Sequence, residues 1–314
     1  FHSMCLKLLR RHADKLGFPT TFVIFDSGDQ VSLIKKILTD LNYNHKQYDP
    51  WSVLGAISKQ KNELVGPEEF EQKANDVYQD VIAECYTRYQ KALKDSSAMD
   101  FDDLLCNVVR LFAQEPEILA HYQNKFRYIL VDEYQDTNHV QYLITRELAK
   151  CHNNICVVGD SDQNIYSWRG ADIRNILDFE QDYSSCTTIL LEQNYRSTKT
   201  ILSIANAVIK NNSQRKEKNL WTNNEDGNKA VYYHALNEHD EASYIVKKLQ
   251  LLKKSGDLKS YSDAAIFYRT NSQSRVIEEM CIKQNIPYRI VGGLKFYERR
   301  EVKDILAYLR VLNN

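Results

Sequence analysis

The stretch Tyr128-Ile129-Leu130-Val131-Asp132-Glu133-Tyr134-Gln135-Asp136-Thr137-Asn138 decides the fold class of this chain. Residues 128–131 form a short, continuous apolar run, the pattern of a strand covered on both faces. A helix is expected directly afterwards, around residues 140–150. A second run, Ile155-Cys156-Val157-Val158, and a third, Thr188-Ile189-Leu190-Leu191, repeat the pattern. Continuous apolar strands alternating with helices predict a parallel sheet in an α/β domain. In such sheets ligands bind at the carboxyl ends of the strands.

Upstream, residues 31–93 read as almost all helix. Tyr78, Ile82, Cys85, Tyr89 and Leu93 share one helical face. Gly66-Pro67 interrupts the stretch, and Pro67-Glu68-Glu69 is a helix start with acid in its first turn. Lys94-Asp95-Ser96-Ser97 closes it. Downstream, a second alternating set places strands near 231–233, 264–268 and 288–291, with helices near 241–254 and 273–284. A final helix, 301–312, runs to the chain end. The prediction is two α/β domains: the first made of residues 1–30 and 99–190, with a helical insert at 31–98, the second of residues 191–314.

At 314 residues the chain has room for two domains. Its hydrophobic fraction of 43% is that of an ordinary soluble protein. No run reaches membrane-spanning length, and the N-terminus is not a signal peptide. The net charge of −1 carries no basic signature, so any nucleic-acid surface must be a local groove. Seven cysteines, with no CxxC pair, predict buried reduced thiols in a cytosolic protein rather than a zinc site. Phe1-His2-Ser3-Met4-Cys5 begins with an amphipathic helix already under way, which predicts a truncated start.

Three strand ends carry the chemistry. Asp132-Glu133 after an apolar run reads either as a strand end meeting solvent or as the acidic half of a nucleotide-hydrolysis site, with Asp132 to hold Mg2+ and Glu133 beside it to orient and deprotonate the attacking water. The second strand runs into Gly159-Asp160-Ser161-Asp162-Gln163-Asn164-Ile165-Tyr166-Ser167-Trp168-Arg169-Gly170-Ala171-Asp172. There Gln163 can meet a terminal phosphate, while Tyr166 and Trp168 offer flat faces for bases and Arg169 a cation for the backbone. With an intervening Ser167, an extended chain would turn both rings to the same side. The third run ends in Leu191-Glu192-Gln193-Asn194-Tyr195-Arg196-Ser197. Tyr195 suits an adenine platform and Arg196 a γ-phosphate contact, with Ser197 or Thr198 expected to cap the next helix.

The string Asp132–Asn138 resembles the second motif of superfamily-one DNA helicases of the UvrD/Rep/PcrA type. The 159–172 and 191–197 stretches resemble the third and fourth motifs of that family. Phe1–Cys5 is similar to the segment after its first DNA-contacting motif, which marks His2 for DNA. Asp100-Phe101-Asp102-Asp103-Leu104 resembles the family's return from its helical insert. Tyr268-Arg269-Thr270-Asn271 and Ile286-Pro287-Tyr288-Arg289-Ile290-Val291-Gly292-Gly293 are also similar, with Arg269 and Asn271 on single-stranded DNA. The resemblance implies two RecA-like parallel-sheet domains, both incomplete, the first with an all-helical insert. It implies ATP and Mg2+ as cofactors, and a 3′-to-5′ motor acting on single-stranded DNA and at single/double-strand junctions. Repair or replication proteins are the implied partners, in a bacterial cytoplasmic, nucleoid-associated setting without a membrane.

One family feature is missing. A phosphate-binding loop needs Gly-Lys followed by Ser or Thr. None of the ten glycines here is followed by lysine. The chain on its own is therefore expected to be inactive as an ATPase, and the C-terminal motifs are expected to be absent too. The alternative is an ATPase-dead module that only grips single-stranded DNA; an intact Asp132-Glu133 is of no use to such a module. A nuclease lacks support, since no further acidic cluster is evident.

Overall fold

The structure, a computed structural model, describes residues 1–213, 215–291, 305–307 and 309, with the side chain of Arg169 also outside the described set. It divides into two compact units, Phe1–Gly227 and Asn228–Asn314.

The first unit opens with α1 (His2–His12) and a two-residue strand β1 (Val23–Ile24), and then enters the helical insert. The insert comprises α2 (Ser27–Asp40), α3 (Pro50–Asn62), α4 (Pro67–Lys73) and α5 (Val77–Asp95). Its helix starts are written locally. Asp26 and Asp29 form a reciprocal capping box, Asp49 caps the Pro50 start, and Asp76 accepts from the Gln79 amide. Pro67 opens α4 with Glu68 and Glu69 in the first turn. The apolar faces meet in one core that includes Ile34, Ile57, Tyr86, Tyr89 and Leu93. Burying each such aliphatic side chain contributes roughly 1.5–3 kcal/mol. Tyr78, expected on that face, is instead exposed and stacks on Tyr48 at 5.8 Å.

The chain leaves the insert through β2 (Ala98–Met99), which pairs in parallel with β1: Val23 opposite Ala98, Ile24 opposite Met99. The insert thus departs and returns through adjacent strands. Next come α6 (Phe101–Gln114), capped by Asp100 and Asp103, and α7 (Pro116–Lys125). Then β3 (Ile129–Val131), α8 (His139–Ala149) and β4 (Ile155–Val157) follow. A second core joins α1, α6 and α8 through Leu8, Leu9, Leu104, Leu105 and Ile144. Between the two cores Lys61 of α3 is buried and ion-paired with Asp100 at 2.6 Å and Asp103 at 2.8 Å.

Strands β3 and β4 pair in parallel, with Leu130 opposite Cys156 and Val131 opposite Val157. Among the described residues this sheet has two strands. Leu130 is 78% exposed and Cys156 is exposed too, so the expectation of burial on both faces is corrected here. All seven cysteines are free thiols; burial holds for Cys5, Cys85, Cys106 and Cys281 and is corrected for Cys151 and Cys156, which are exposed, and for Cys186, which is half-buried. Two short helices, α9 (Arg174–Leu177) and α10 (Phe179–Asp182), precede α11 (Lys199–Ile209). The run 188–191 forms no strand; only Gln193 makes a bridge, to Trp221.

The second unit contains α12 (Glu238–Ser255) and α13 (Ser274–Lys283), which bury Val246, Cys281 and Ile286 between them. The expected strands at 231–233, 264–268 and 288–291 do not form ladders. Ile266, Tyr268, Tyr288 and Ile290 instead line a cavity of about 860 Å3. The expected last helix lies mostly outside the described residues; 305–307 and 309 within it are helical. Gly292 and Gly293 lie outside them as well. Among the described residues no helix is long and apolar enough to cross a membrane.

Candidate functional site

Parallel pairing of β3 and β4 brings two strand ends side by side. Asp132 and Glu133 leave β3, and Asp160 to Gln163 leave β4. Glu133 sits at φ 50 and ψ 44, left-handed backbone that a residue with a Cβ seldom adopts. The kink ends the strand and starts a 3-10 turn, Tyr134–Asp136. It leaves both carboxylates exposed, with Asp132 Oδ1 accepting from the Glu133 amide at 2.9 Å.

Beneath these carboxylates the turn is locked. The Tyr134 amide donates to Val158 O at 3.0 Å. Gln135, 1% exposed, donates from Nε2 to Glu133 Oε2 at 2.8 Å and accepts at Oε1 from the Asp160 amide at 2.9 Å. Asn164 Nδ2 donates to Gln135 O at 2.6 Å. Gly159 makes this approach feasible, because a Cβ there would lie 2.6 Å from Gln135 Oε1 and 2.7 Å from Ile176 Cδ1.

Gln163, exposed, donates to Asp160 Oδ2 at 2.9 Å. Burial works against the charge of Asp160, but hydrogen bonds from Lys218 and Gln163 outweigh it and hold this carboxyl below its ordinary value. Lys218 also pairs with Asp162 at 3.2 Å, and Arg215 does so at 3.0 Å. The Lys218 segment also reaches the stretch after the 188–191 run: the Asn219 amide donates to Glu192 Oε1, and the Asn194 amide to Trp221 O at 2.7 Å. Asn194 Oδ1 in turn accepts the amides of Arg196 and Ser197. Tyr195 and Arg196 are exposed beyond this turn. Thr198 occupies the N-cap of α11 without a side-chain cap bond, so Asn194 organises the turn instead of the expected hydroxyl.

The loop after β4 carries Tyr166 and Trp168 outward, the latter 65% exposed. It is not extended. Ser167–Arg169 forms a 3-10 turn closed by Gly170 at φ 86, so spacing by two does not place the rings on one side, and that expectation is corrected. The far end of the loop is tied down: the Asp172 amide donates to Thr137 O, and Asn175 Nδ2 donates to Thr137 Oγ1. His2 is exposed at the start of α1, edge-on to Phe101 at 6.0 Å. Arg269 and Asn271 belong to the second unit. There the Gln273 side chain accepts from the Arg269 and Thr270 amides and fixes the turn between them.

A family profile described as "UvrD/REP helicase N-terminal domain" matches residues 1–184, and one described as "UvrD-like helicase C-terminal domain" matches 189–314. The chain belongs to the UvrD/REP helicase family. Similar proteins include the "ATP-dependent DNA helicase PcrA" of Staphylococcus epidermidis and that of Bacillus subtilis, each 55% identical over all 314 residues of this chain. The protein of the same description from Staphylococcus aureus is 53% identical over the same span. The chain spans 42–43% of the length of these relatives.

Within this UvrD-type chain, motif spacing marked the exposed residues at the strand ends. It passed over Gln135, Gly159 and Lys218. A signal existed for Gly159: a glycine directly after a strand often marks close backbone approach. Nothing periodic marks a buried amide such as Gln135.

Proposed function

We propose that this chain is part of an ATP-dependent DNA helicase motor that hydrolyses ATP to move 3′ to 5′ along single-stranded DNA and unwind duplex. The observation that carries the reading is the side-by-side placement of Asp132-Glu133 and Gln163 at two parallel strand ends, with the Tyr166–Trp168 loop leaving the same edge. In this reading residues 1–30 with 99–190, and residues 191–314, belong to two RecA-like domains, with 31–98 inserted in the first. Glu133 deprotonates the attacking water and Gln163 meets the γ-phosphate. Arg196 offsets transition-state charge, and Tyr195 stacks on the base. Tyr166, Trp168, Arg169, Arg269, Asn271 and His2 face DNA.

The donors fit Mg2+. Among the described residues no group of three or more His, Cys, Asp or Glu side chains forms a metal cage. Two exposed carboxylates suit a cation that keeps several waters and shares its shell with substrate phosphates. Asp132 would hold it, with Glu133 alongside, and bound Mg2+ would neutralise charge on the phosphates.

Removing Trp168 tests the DNA face. Base-on-aromatic stacking is worth about 1–3 kcal/mol. Trp168→Ala in the full-length protein should therefore weaken oligo-dT binding by roughly 5- to 150-fold. The ring is exposed, so the melting midpoint should stay nearly constant. Trp51 and Trp221 are exposed too, so the DNA-induced fluorescence change must be read as the difference between parent and variant. A variant that melts far earlier yet binds DNA normally while folded would show that Trp168 is structural. Affinity should also fall steeply with salt and differ little between oligo-dT and mixed sequence. The 314-residue chain alone should release no phosphate above background. Release that Glu133→Gln abolishes would overturn the reading of its glycines.

A further inference from the structure

Glu133 and Gln163, the two groups the proposed hydrolysis uses at neighbouring strand ends, are joined by an unbroken hydrogen-bonded line. It runs from Glu133 Oε2 to the Gln135 amide, then to the Asp160 backbone, then through the Asp160 carboxylate to Gln163 Nε2. Gln135 is the member that no strand-end motif chemistry requires. Chemistry fixes the direction of its amide: a carboxylate can only accept, so Nε2 faces Glu133, and a backbone N–H can only donate, so Oε1 faces Asp160.

The link has little slack. Gly159 leaves no room for a Cβ against Gln135 Oε1, and Asn164 holds the Gln135 carbonyl from the loop side. The far end of the same loop is fixed to Thr137. Displacement of residues 160–172 therefore pulls on the 134–138 segment at both ends.

We propose that Gln135 is a positioning residue that makes the orientation of the Glu133 carboxylate depend on the loop bearing Tyr166 and Trp168, so that single-stranded DNA on that loop sets the hydrolytic geometry. This rests on the helicase reading above. The nearest substitutes fail in this role. Glutamate would set a second carboxylate against Glu133, asparagine is one methylene too short to span both partners, and methionine supplies neither donor nor acceptor.

The test uses the full-length protein and measures ATP turnover with and without oligo-dT, KM for ATP, Kd for oligo-dT and the melting midpoint. Gln135→Met should lower DNA-stimulated kcat by roughly 10- to 100-fold, as expected when a reacting group is misplaced by about an ångström. KM and Kd should stay within about twofold, and the ratio of stimulated to basal turnover should collapse. A merely structural role would move KM, Kd and the midpoint together with kcat. If Gln135→Met does not fold, the half-buried Asn164→Ala carries the test, with the same split expected at smaller size. A folded variant whose DNA-stimulated kcat matches the parent, while Glu133→Gln is dead, overturns the proposal. If Glu133→Gln itself keeps parental turnover, the hydrolytic reading of the site fails first and takes this inference with it.

Discussion

Glu133→Gln in the full-length protein should bind ATP and single-stranded DNA as the parent does and turn ATP over at least ~100-fold more slowly, because a general base contributes roughly 10²- to 10⁴-fold in rate. The structure gives reasons for so clean a split. The Glu133 carboxylate is exposed at the end of β3, so its replacement disturbs no core. A glutamine carbonyl at this position can still accept from Gln135, which preserves the kinked turn at φ 50. The negative charge and the basicity are lost, while Asp132 remains to hold the cation. Arg196→Ala should also lose hydrolysis, since transition-state charge then goes uncompensated. Phosphate release and oligo-dT titration on the same preparations decide the matter. A Glu133→Gln protein that hydrolyses normally but no longer holds DNA would assign this residue to the wrong task.

Lys61→Met should lower the stability of the Phe1–Gly227 unit by about 3–5 kcal/mol, the usual cost of leaving buried charge uncompensated. Lys61 is 2% exposed, and its ammonium donates to Asp100 and Asp103 while lying 5.1 Å from the Tyr89 ring centroid. Burial alone would push its pKa down, but the two aspartates outweigh burial and raise it, so it stays charged throughout the working range. Tyr89 adds a hydrogen bond to Asp100 at 2.9 Å. Removing the cation strands both carboxylates between two cores. Thermal or urea unfolding followed by far-UV circular dichroism measures the loss; a change under about 1 kcal/mol would mean that the pair is solvated in solution. A neighbour adds a pH signature. Burial and the charge of Asp100 push Asp102 up to about 6, against a hydrogen bond from Ser58. A raised carboxyl favours the folded state below its ordinary value of about 4, and that contribution is lost as pH rises through about 6.

What could be read in advance depended on the range of the physics. The proline start of α4 and the apolar face of α5 are set within four residues, and Pro67, Ile82 and Leu93 announced them. Strands β3 and β4 were long enough to show as apolar runs. Strands β1 and β2, two residues each, have no period to show. The runs at 188–191 and 264–268 show the opposite limit, because apolar composition reports a tendency to be covered, while a strand needs a neighbour to bond. In the candidate site, the expected residues were chosen by residue type at the ends of apolar runs, and the structure leaves most of them exposed. The supports were not marked in this way. Gln135 and Lys61 are polar groups whose burial depends on partners as far off as Asp160 and Asp100. Gly170 turned an assumed extended stretch into a helical turn.

The β1–β2 pair has a consequence for how such a molecule can change. Chain that exits and re-enters through neighbouring strands closes its own loop, so the strand pairing of the surrounding layer does not depend on how much polypeptide hangs from the opening. Lengthening a closed loop costs only about 0.6 kcal/mol per doubling. The helical block can therefore be exchanged, enlarged or trimmed as a cassette without tearing its host layer, provided the graft satisfies Asp100 and Asp103 where Lys61 now stands.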